Sequence, residues 1–202
     1  QDVSDMIWLV WGTAVHHVLE HADDKNMTEF RFTQHIKDGY YLTGQIDLYN
    51  NDTCAIEDYK TASVWKVINR DFDDWDKQGL MYAWLLITNS IHVEEIKFHA
   101  LLKDWSPSKA KYDNNYPEHP IYTHSIKVTT QALQGIREYI HQRFDEIISN
   151  ETANELPLCT ADERWATPTK YAHMKQGRKS AIKLYDEYPS IDLGKDEYIE
   201  IR

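Results

Sequence analysis

Between residues 40 and 60 the chain has the pattern of a β-hairpin. Leu42, Gly44, Ile46 and Leu48 alternate with Thr43, Gln45 and Asp47, the two-residue period of a strand with one buried face. Asn50-Asn51-Asp52 follows as a turn signal. Residues 53–60 are therefore expected to return antiparallel as the next strand.

The flanking segments extend this hairpin into a mixed sheet. Ser4 can cap a helix over 5–22, where Trp8, Trp11, Val15, Val18, Leu19 and Ala22 recur at three- and four-residue spacing. A strand is expected at 28–36. Asp71, Asp73, Asp74 and Asp76 crowd the start of a helix running to Thr88 and favour the positive end of its dipole. A strand at 93–103, a long polar loop at 104–120, a strand at 121–128 and a helix at 129–149 follow. A parallel pairing of 53–60 with 93–103 would make the helix between them a crossover. The tail is irregular around Pro157 and Pro168, and a helix is expected over 170–185. The fold class is α+β, a mixed sheet flanked by helices. Its 202 residues fit a single domain, with a core at 4–149 and a C-terminal tail at 150–202.

Composition narrows the setting. No apolar run approaches the roughly eighteen residues of a membrane span. Gln1 opens without a basic segment and Trp8 to Trp11 is too short for an apolar signal core, so no export signal is expected. Gln1 in place of an initiator Met reads as a trimmed start. Cys54 and Cys159 make no metal-spacing pair and are read as thiols of a reducing, cytoplasmic compartment. The net charge of −11 argues against a general coating of nucleic acid but leaves room for a local site.

One local site stands out. Asp58 and Lys60 are two apart on a strand and share a face, with Asp47 on the polar side of the neighbouring strand. Two carboxylates suit a hard divalent cation such as Mg2+ or Mn2+. A lysine beside them can orient water, take its proton or stabilise developing charge. The same three residues also occur on ordinary solvated sheet faces. Glu57 points to the other face. His17 and His21, four apart, are read as surface groups rather than a zinc site. The tryptophans are read as core, with Trp105 in the polar loop as the one candidate for base stacking.

Further residues extend the pattern in order. Gly12-Thr13-Ala14-Val15-His16 is followed by Glu20, Gly44-Gln45-Ile46-Asp47, Ile56-Glu57-Asp58-Tyr59-Lys60-Thr61 and Gln78-Gly79-Leu80-Met81-Tyr82. This series resembles the RecB-like branch of the PD-(D/E)XK nuclease superfamily, whose motifs are G-x-x-x-H, G-x-x-D, (D/E)-x-K and Q-x-x-x-Y. The tail from Pro157-Leu158-Cys159-Thr160 to Trp165, with Lys170-Tyr171-Ala172 and Gly177-Arg178-Lys179, is similar to the C-terminal part of phage RecB-like exonucleases.

The resemblance implies a restriction-endonuclease-like αβββαβ core and metal-dependent hydrolysis of DNA, from an end, in phage or bacterial recombination. It implies that Asp47, Asp58, the Tyr59 carbonyl and His16 hold Mg2+ or Mn2+, and that Lys60 acts on the attacking water. Glu20 would touch a metal-bound water, and Gln78 and Tyr82 would contact DNA or brace the site. A recombination or annealing protein is the implied partner. The chain departs from the Cas4 and AddB type in lacking four cysteines, so one chain cannot build their iron–sulfur cluster. A catalytically silent, DNA-binding module and an endonuclease are the alternatives.

The tail adds cations. Residues 170–183 hold Lys170, Lys175, Arg178, Lys179 and Lys183 and no acid, a segment of +5 that leaves −16 for the rest of the −11 chain. On a helix Lys175, Arg178 and Lys179 would share one face, a candidate phosphate-binding surface.

Overall fold

In a computed structural model, residues 12–14, 26–37, 39–153, 158–161, 164, 166 and 168–202 are described. They divide into two compact units, 1–154 and 155–202. Gly12–Ala14 is helical; the remainder of the helix expected over 5–22 lies outside the described residues.

The first unit is built on five strands: β1 (Met27–Lys37), β2 (Tyr40–Asn50), β3 (Ala55–Ala62), β4 (Glu95–Leu102) and β5 (Ile121–Lys127), in that spatial order. All neighbours are antiparallel except β3 and β4, which run parallel. A parallel pair needs a crossover rather than a tight turn. Short helix α1 (Val64–Ile68) and the longer α2 (Asp73–Thr88) supply it. The polar loop holds a further short helix, α3 (Pro107–Tyr112), and α4 (Thr130–Ala153) closes the unit. This is the mixed α+β core of a restriction-endonuclease-like fold.

Local chemistry explains the elements. Strand β4, EIKFHALL, alternates half-buried and buried at every step, with Ile96, Phe98, Ala100 and Leu102 inward. Those side chains meet Trp75, Ala83, Leu85 and Leu86 of α2 in one apolar cluster. Asp73, Asp74 and Asp76 occupy the first turn of α2, where carboxylates favour the helix dipole. Thr129 caps α4 by accepting the Ala132 amide at 3.1 Å, and Ile136 and Ile140 bury its inner face.

The alternation in 40–49 holds through Leu48, which is buried, and Tyr49 beside it is buried as well. One expectation fails in this unit. Trp105 is no free stacking platform. Its indole N–H donates to the Pro117 carbonyl at 2.8 Å and its ring packs against the core. The Tyr116 hydroxyl accepts the Ser106 amide at 2.9 Å, which pins the same loop.

The second unit is a three-stranded antiparallel sheet, ordered β7 (Lys183–Tyr185), β6 (Tyr171–Lys175), β8 (Glu197–Ile201). The helix expected over 170–185 is instead the β6–β7 hairpin. The reason lies in its period: Ala172 and Met174 are buried while Tyr171 and His173 are not, an alternation of two that offers no helical apolar stripe. Gly177 then adopts φ +83 in the connecting turn, a conformation glycine takes without steric cost. Both cysteines are free thiols. Among the described residues, no helix is long and apolar enough to cross a membrane.

Gly79 is where α2 approaches the sheet most tightly. A Cβ there would lie 2.8 Å from Ile96 Cγ2 and 2.8 Å from Phe98 Cζ, and both of those side chains are fully buried. Overpacking costs about 1–3 kcal/mol, against a helix-propensity gain of about 1 kcal/mol. We expect Gly79→Ala to lower the thermal unfolding midpoint; an unchanged or higher midpoint would show that the helix can shift away.

Candidate active site

The site forms where two strands separate. The β2–β3 ladder pairs Asn50 with Ala55, Tyr49 with Ile56 and Leu48 with Glu57. The same register would next set Asp47 against Asp58, and there the ladder stops. Like charges directly opposite one another destabilise a sheet. In place of the next ladder bond, Asp47 Oδ2 accepts the Tyr59 amide at 2.8 Å. The N–H and C=O of one strand residue point to the same edge, so the Tyr59 carbonyl also faces the gap between β2 and β3.

Asp58 lies on the face of β3 that meets α2. Among the described residues it is the one charged side chain in the fully buried class, at 3% exposure. A buried carboxylate needs a partner. Lys60 supplies one: its Nζ sits 2.7 Å from Asp58 Oδ1, in contact as an ion pair rather than an aligned hydrogen bond. Lys60 Nζ also donates to Gln78 Oε1 at 2.8 Å, and Gln78 Nε2 donates to the Tyr82 hydroxyl at 2.8 Å. Gln78 and Tyr82 are one turn apart on α2, so one helix face holds the whole relay. Burial raises the Tyr82 phenol above its ordinary value. The hydrogen bond from Gln78 opposes this, and the carboxylates of Asp58, Asp47 and Glu29 push it further up. The phenol therefore stays neutral at ordinary pH.

The structure thus brings together six of the residues marked in the sequence: Asp47, Asp58, Tyr59, Lys60, Gln78 and Tyr82. His16 and Glu20 lie outside the described residues. Gly12, which opens their segment, passes beside β3: a Cβ there would lie 3.8 Å from Thr61 Oγ1. Glu57 does point to the opposite face, where it sits 3.4 Å from His99 Nε2. Lys170, Lys175, Arg178 and Lys179 belong to the second unit. They sit on and around the β6–β7 hairpin, not on a shared helix face. Lys170 is ion-paired to Asp186; among the described residues Lys175, Arg178, Lys179 and Lys183 form no ion pair.

Sequence reasoning missed Glu29, Arg31 and Gln45. Glu29 stands opposite Asp47, between the Thr28–Leu48 and Phe30–Ile46 pairs, and is itself unpaired in the ladder. Its φ of +48 is rare for a non-glycine residue inside a strand. Gln45 Nε2 donates to Glu29 Oε2 at 2.5 Å, and Arg31 Nη2 donates to Gln45 Oε1 at 2.8 Å. Nothing in a two-residue alternation signals this distortion.

The donor types suit a hard cation: Asp47 and Asp58 are carboxylates on neighbouring strands, and carboxylate and carbonyl oxygens are what Mg2+ or Mn2+ takes. Among the described residues no group of three or more His, Cys, Asp or Glu side chains is gathered to hold a metal ion.

No family model matches the chain, and no curated protein matches it. Three solved structures share part of its fold. One is a protein designated SSO0001, with 16% identity, a TM-score of 0.44, and 66% of this chain and 57% of that chain covered. A "Putative exonuclease" from Eubacterium rectale has 14% identity and a TM-score of 0.44, covering 81% and 59%. A phage-related exonuclease from Haemophilus somnus 129PT has 17% identity and a TM-score of 0.41, covering 62% and 63%. The chain spans about three fifths of the length of each.

The Asp47–Tyr59 bond makes a prediction about stability alone. Asp47→Ala leaves a strand amide without its acceptor, at a cost of about 1–3 kcal/mol. Asp47→Asn keeps an acceptor oxygen in place. Chemical denaturation should find the alanine variant clearly destabilised and the asparagine variant close to wild type. Equal stability of the two would show that the amide does not depend on this side chain.

Proposed function

We propose that this chain is a metal-dependent DNA nuclease of the PD-(D/E)XK type, RecB-like branch, hydrolysing phosphodiester bonds from a DNA end. The observation that carries the reading is the Asp58–Lys60 pair, nearly buried and fixed in place by Gln78 and Tyr82. A fold gains little from such a pair, because apolar residues of the same volume would serve stability as well or better. Chemistry is the reason to keep it.

Each residue has a task in this reading. Asp47, Asp58 and the Tyr59 carbonyl would hold Mg2+ or Mn2+, with His16 as a further ligand and Glu20 supporting the His16 ring or a metal-bound water. A cation there lowers the pKa of its water and offsets charge on the phosphate. Gln78 fixes Lys60 Nζ, so the ammonium is aimed before substrate arrives and can stabilise charge developing on the phosphate or orient the attacking water. Tyr82 holds Gln78 and remains a neutral hydrogen-bonding group at the edge of the site. The Lys175–Lys183 hairpin binds phosphates without reading bases. The setting in DNA recombination or processing, with a recombination or annealing protein as partner, is what the resemblance to the RecB-like nucleases implies. A module that only binds DNA has no need of the Asp47, Asp58 and Lys60 trio.

End-labelled linear DNA and closed circular DNA, incubated with Mg2+, Mn2+ or EDTA, test the reading. Cleavage of the linear form with either metal, and none with EDTA, is expected. Asp58→Asn should lose both cleavage and Mn2+ binding, whereas Lys60→Ala should lose cleavage by a factor of about 100 or more and still bind Mn2+. Wild-type turnover in Lys60→Ala would sink the assignment. Opening of circular DNA at equal rate would make the protein an endonuclease.

The hairpin has its own test. Arg178→Ala with Lys179→Ala should weaken DNA binding regardless of sequence. Two lost phosphate contacts should reduce the slope of log affinity against log salt by about 1.8 on duplex DNA. Mn2+ affinity should not move. An unchanged slope would remove the hairpin from the DNA-binding surface.

A further inference from the structure

The sheet of the second unit, ordered β7-β6-β8, ends on two unlike edges. β7 is three residues long and carries Lys183. Short edge strands and lysines are how sheets discourage further pairing. β8, Glu-Tyr-Ile-Glu-Ile, is five residues long and holds neither lysine nor proline. On it Ile201 is 69% exposed and Tyr198 44%. An apolar edge of this kind is a template for another strand. The ladder fixes which backbone groups of β8 face outward. Arg202 and Lys170 exchange both of their backbone bonds, and the Gln176 N–H donates to the Asp196 carbonyl. Antiparallel pairs alternate, so the even-numbered residues of β8 point at β6 and Glu197, Ile199 and Ile201 point away. The Glu197 N–H is taken by the Gly194 carbonyl at 3.1 Å. Among the described residues, the N–H groups of Ile199 and Ile201 and the carbonyls of all three have no acceptor or donor opposite them.

We propose that β8 is a dimer interface, pairing antiparallel with β8 of a second copy of this chain about a two-fold axis at Ile199. The inference stands apart from the nuclease reading. A partner strand must be a second copy because this edge is complementary to itself, and in one register. In a symmetric antiparallel pair the residue at the axis meets itself, and its neighbours meet in order. An axis at Asp196, Glu197, Glu200 or Arg202 would set a charged residue against itself. An axis at Tyr198 would set Asp196 against the partner's Glu200. Like charges directly opposite one another destabilise a sheet. An axis at Ile201 leaves too short a stretch of β8 to pair.

The axis at Ile199 meets every condition. It sets Asp196 against the partner's Arg202, Tyr198 against the partner's Glu200, Glu197 against the partner's Ile201, and Ile199 against the partner's Ile199. No like charges meet, and the two ends of the paired stretch attract. Asp196, Tyr198, Glu200 and Arg202 share one face, where the Tyr198 hydroxyl can donate to the partner's Glu200. Ile199 and Ile201 lie on the other face and gather around the axis. The outward backbone groups match as well. The Ile199 N–H donates to the carbonyl of the partner's Ile199, and the Ile201 N–H to the carbonyl of the partner's Glu197, each bond repeated by symmetry. The Glu197 N–H, already engaged within its own chain, is the one outward donor the pairing does not use. The two three-stranded sheets thereby become one continuous sheet whose outer edges are the short, lysine-bearing β7 strands.

Sedimentation velocity of the full chain over a wide range of concentration tests the interface. The wild-type chain should pass from monomer to dimer as concentration rises. Ile199→Lys and Ile199→Glu each set like charges against one another at the axis and should weaken the dimer by about tenfold or more. An equimolar mixture of the two variants should recover it, because residue 199 of one chain then meets the opposite charge on the other. That recovery requires folded chains and this register. Arg202→Glu sets a glutamate against the partner's Asp196 at both ends of the pairing and should weaken association by about fivefold. It lies at an exposed position and decides the matter if an Ile199 variant fails to fold. A wild-type chain that stays monomeric at every concentration would leave the edge to a strand of some other protein and overturn the proposal. Dimerisation unchanged in Arg202→Glu and in the Ile199 variants would overturn it too. So would a mixture that stays monomeric although both variants keep the wild-type circular dichroism.

Discussion

A single side-chain bond sets the geometry on which the rest of the first unit depends. Where the β2–β3 ladder should bring Asp47 against Asp58, Asp47 takes the Tyr59 amide instead. A strand can leave its neighbour only if the backbone groups it abandons are satisfied. Asp47 meets that need with a carboxylate, which opens the sheet and leaves a charged oxygen at the opening. On the other side of β2 the distortion is matched at Glu29, whose positive φ lets the β1 register continue across the same step. The gap is thus a designed feature of both hairpins rather than a frayed edge.

The second constraint is electrostatic. Asp58 is withdrawn from water, and Lys60 balances it at 2.7 Å. Lys60 in turn is tied to α2 through Gln78 and Tyr82. The helix that makes the parallel β3–β4 connection possible is therefore the helix that aims the ammonium. Gly79, beside Gln78, lets α2 close on Ile96 and Phe98. Fold and site share the same contact surface, so a change in helix packing reaches Lys60 within a turn.

Much of this was legible in the sequence because it depends on short-range periodicity. The alternation in 40–49 and the turn at Asn50–Asp52 mark β2 and β3, and the aspartate cluster at 71–76 marks the start of α2. Asp58 and Lys60, two apart on a strand, must share a face whatever else the chain does. What the alternation could not show was a break in itself. It made Leu48 buried, as it is, but gave no sign that Tyr49 beside it joins the core cluster. In the tail, Lys175, Arg178 and Lys179 fall at helical spacing, but spacing of charged residues on a surface carries little conformational information. The buried alternation of Ala172 and Met174 and the backbone freedom of Gly177 made a hairpin instead.

The sequence by itself determined the order of the five strands and two long helices of the first unit and picked out Asp47, Asp58, Lys60, Gln78 and Tyr82 as a set, because local period and motif spacing are properties of the chain alone. Tertiary structure decided that Asp47 spends one oxygen on Tyr59, that Gln78 links Lys60 to Tyr82, and that Glu29, Arg31 and Gln45 join the edge of the site. Those relations cross between strands and from sheet to helix. They depend on register and on a positive φ, which only the packed chain can fix, because no isolated strand has reason to adopt either.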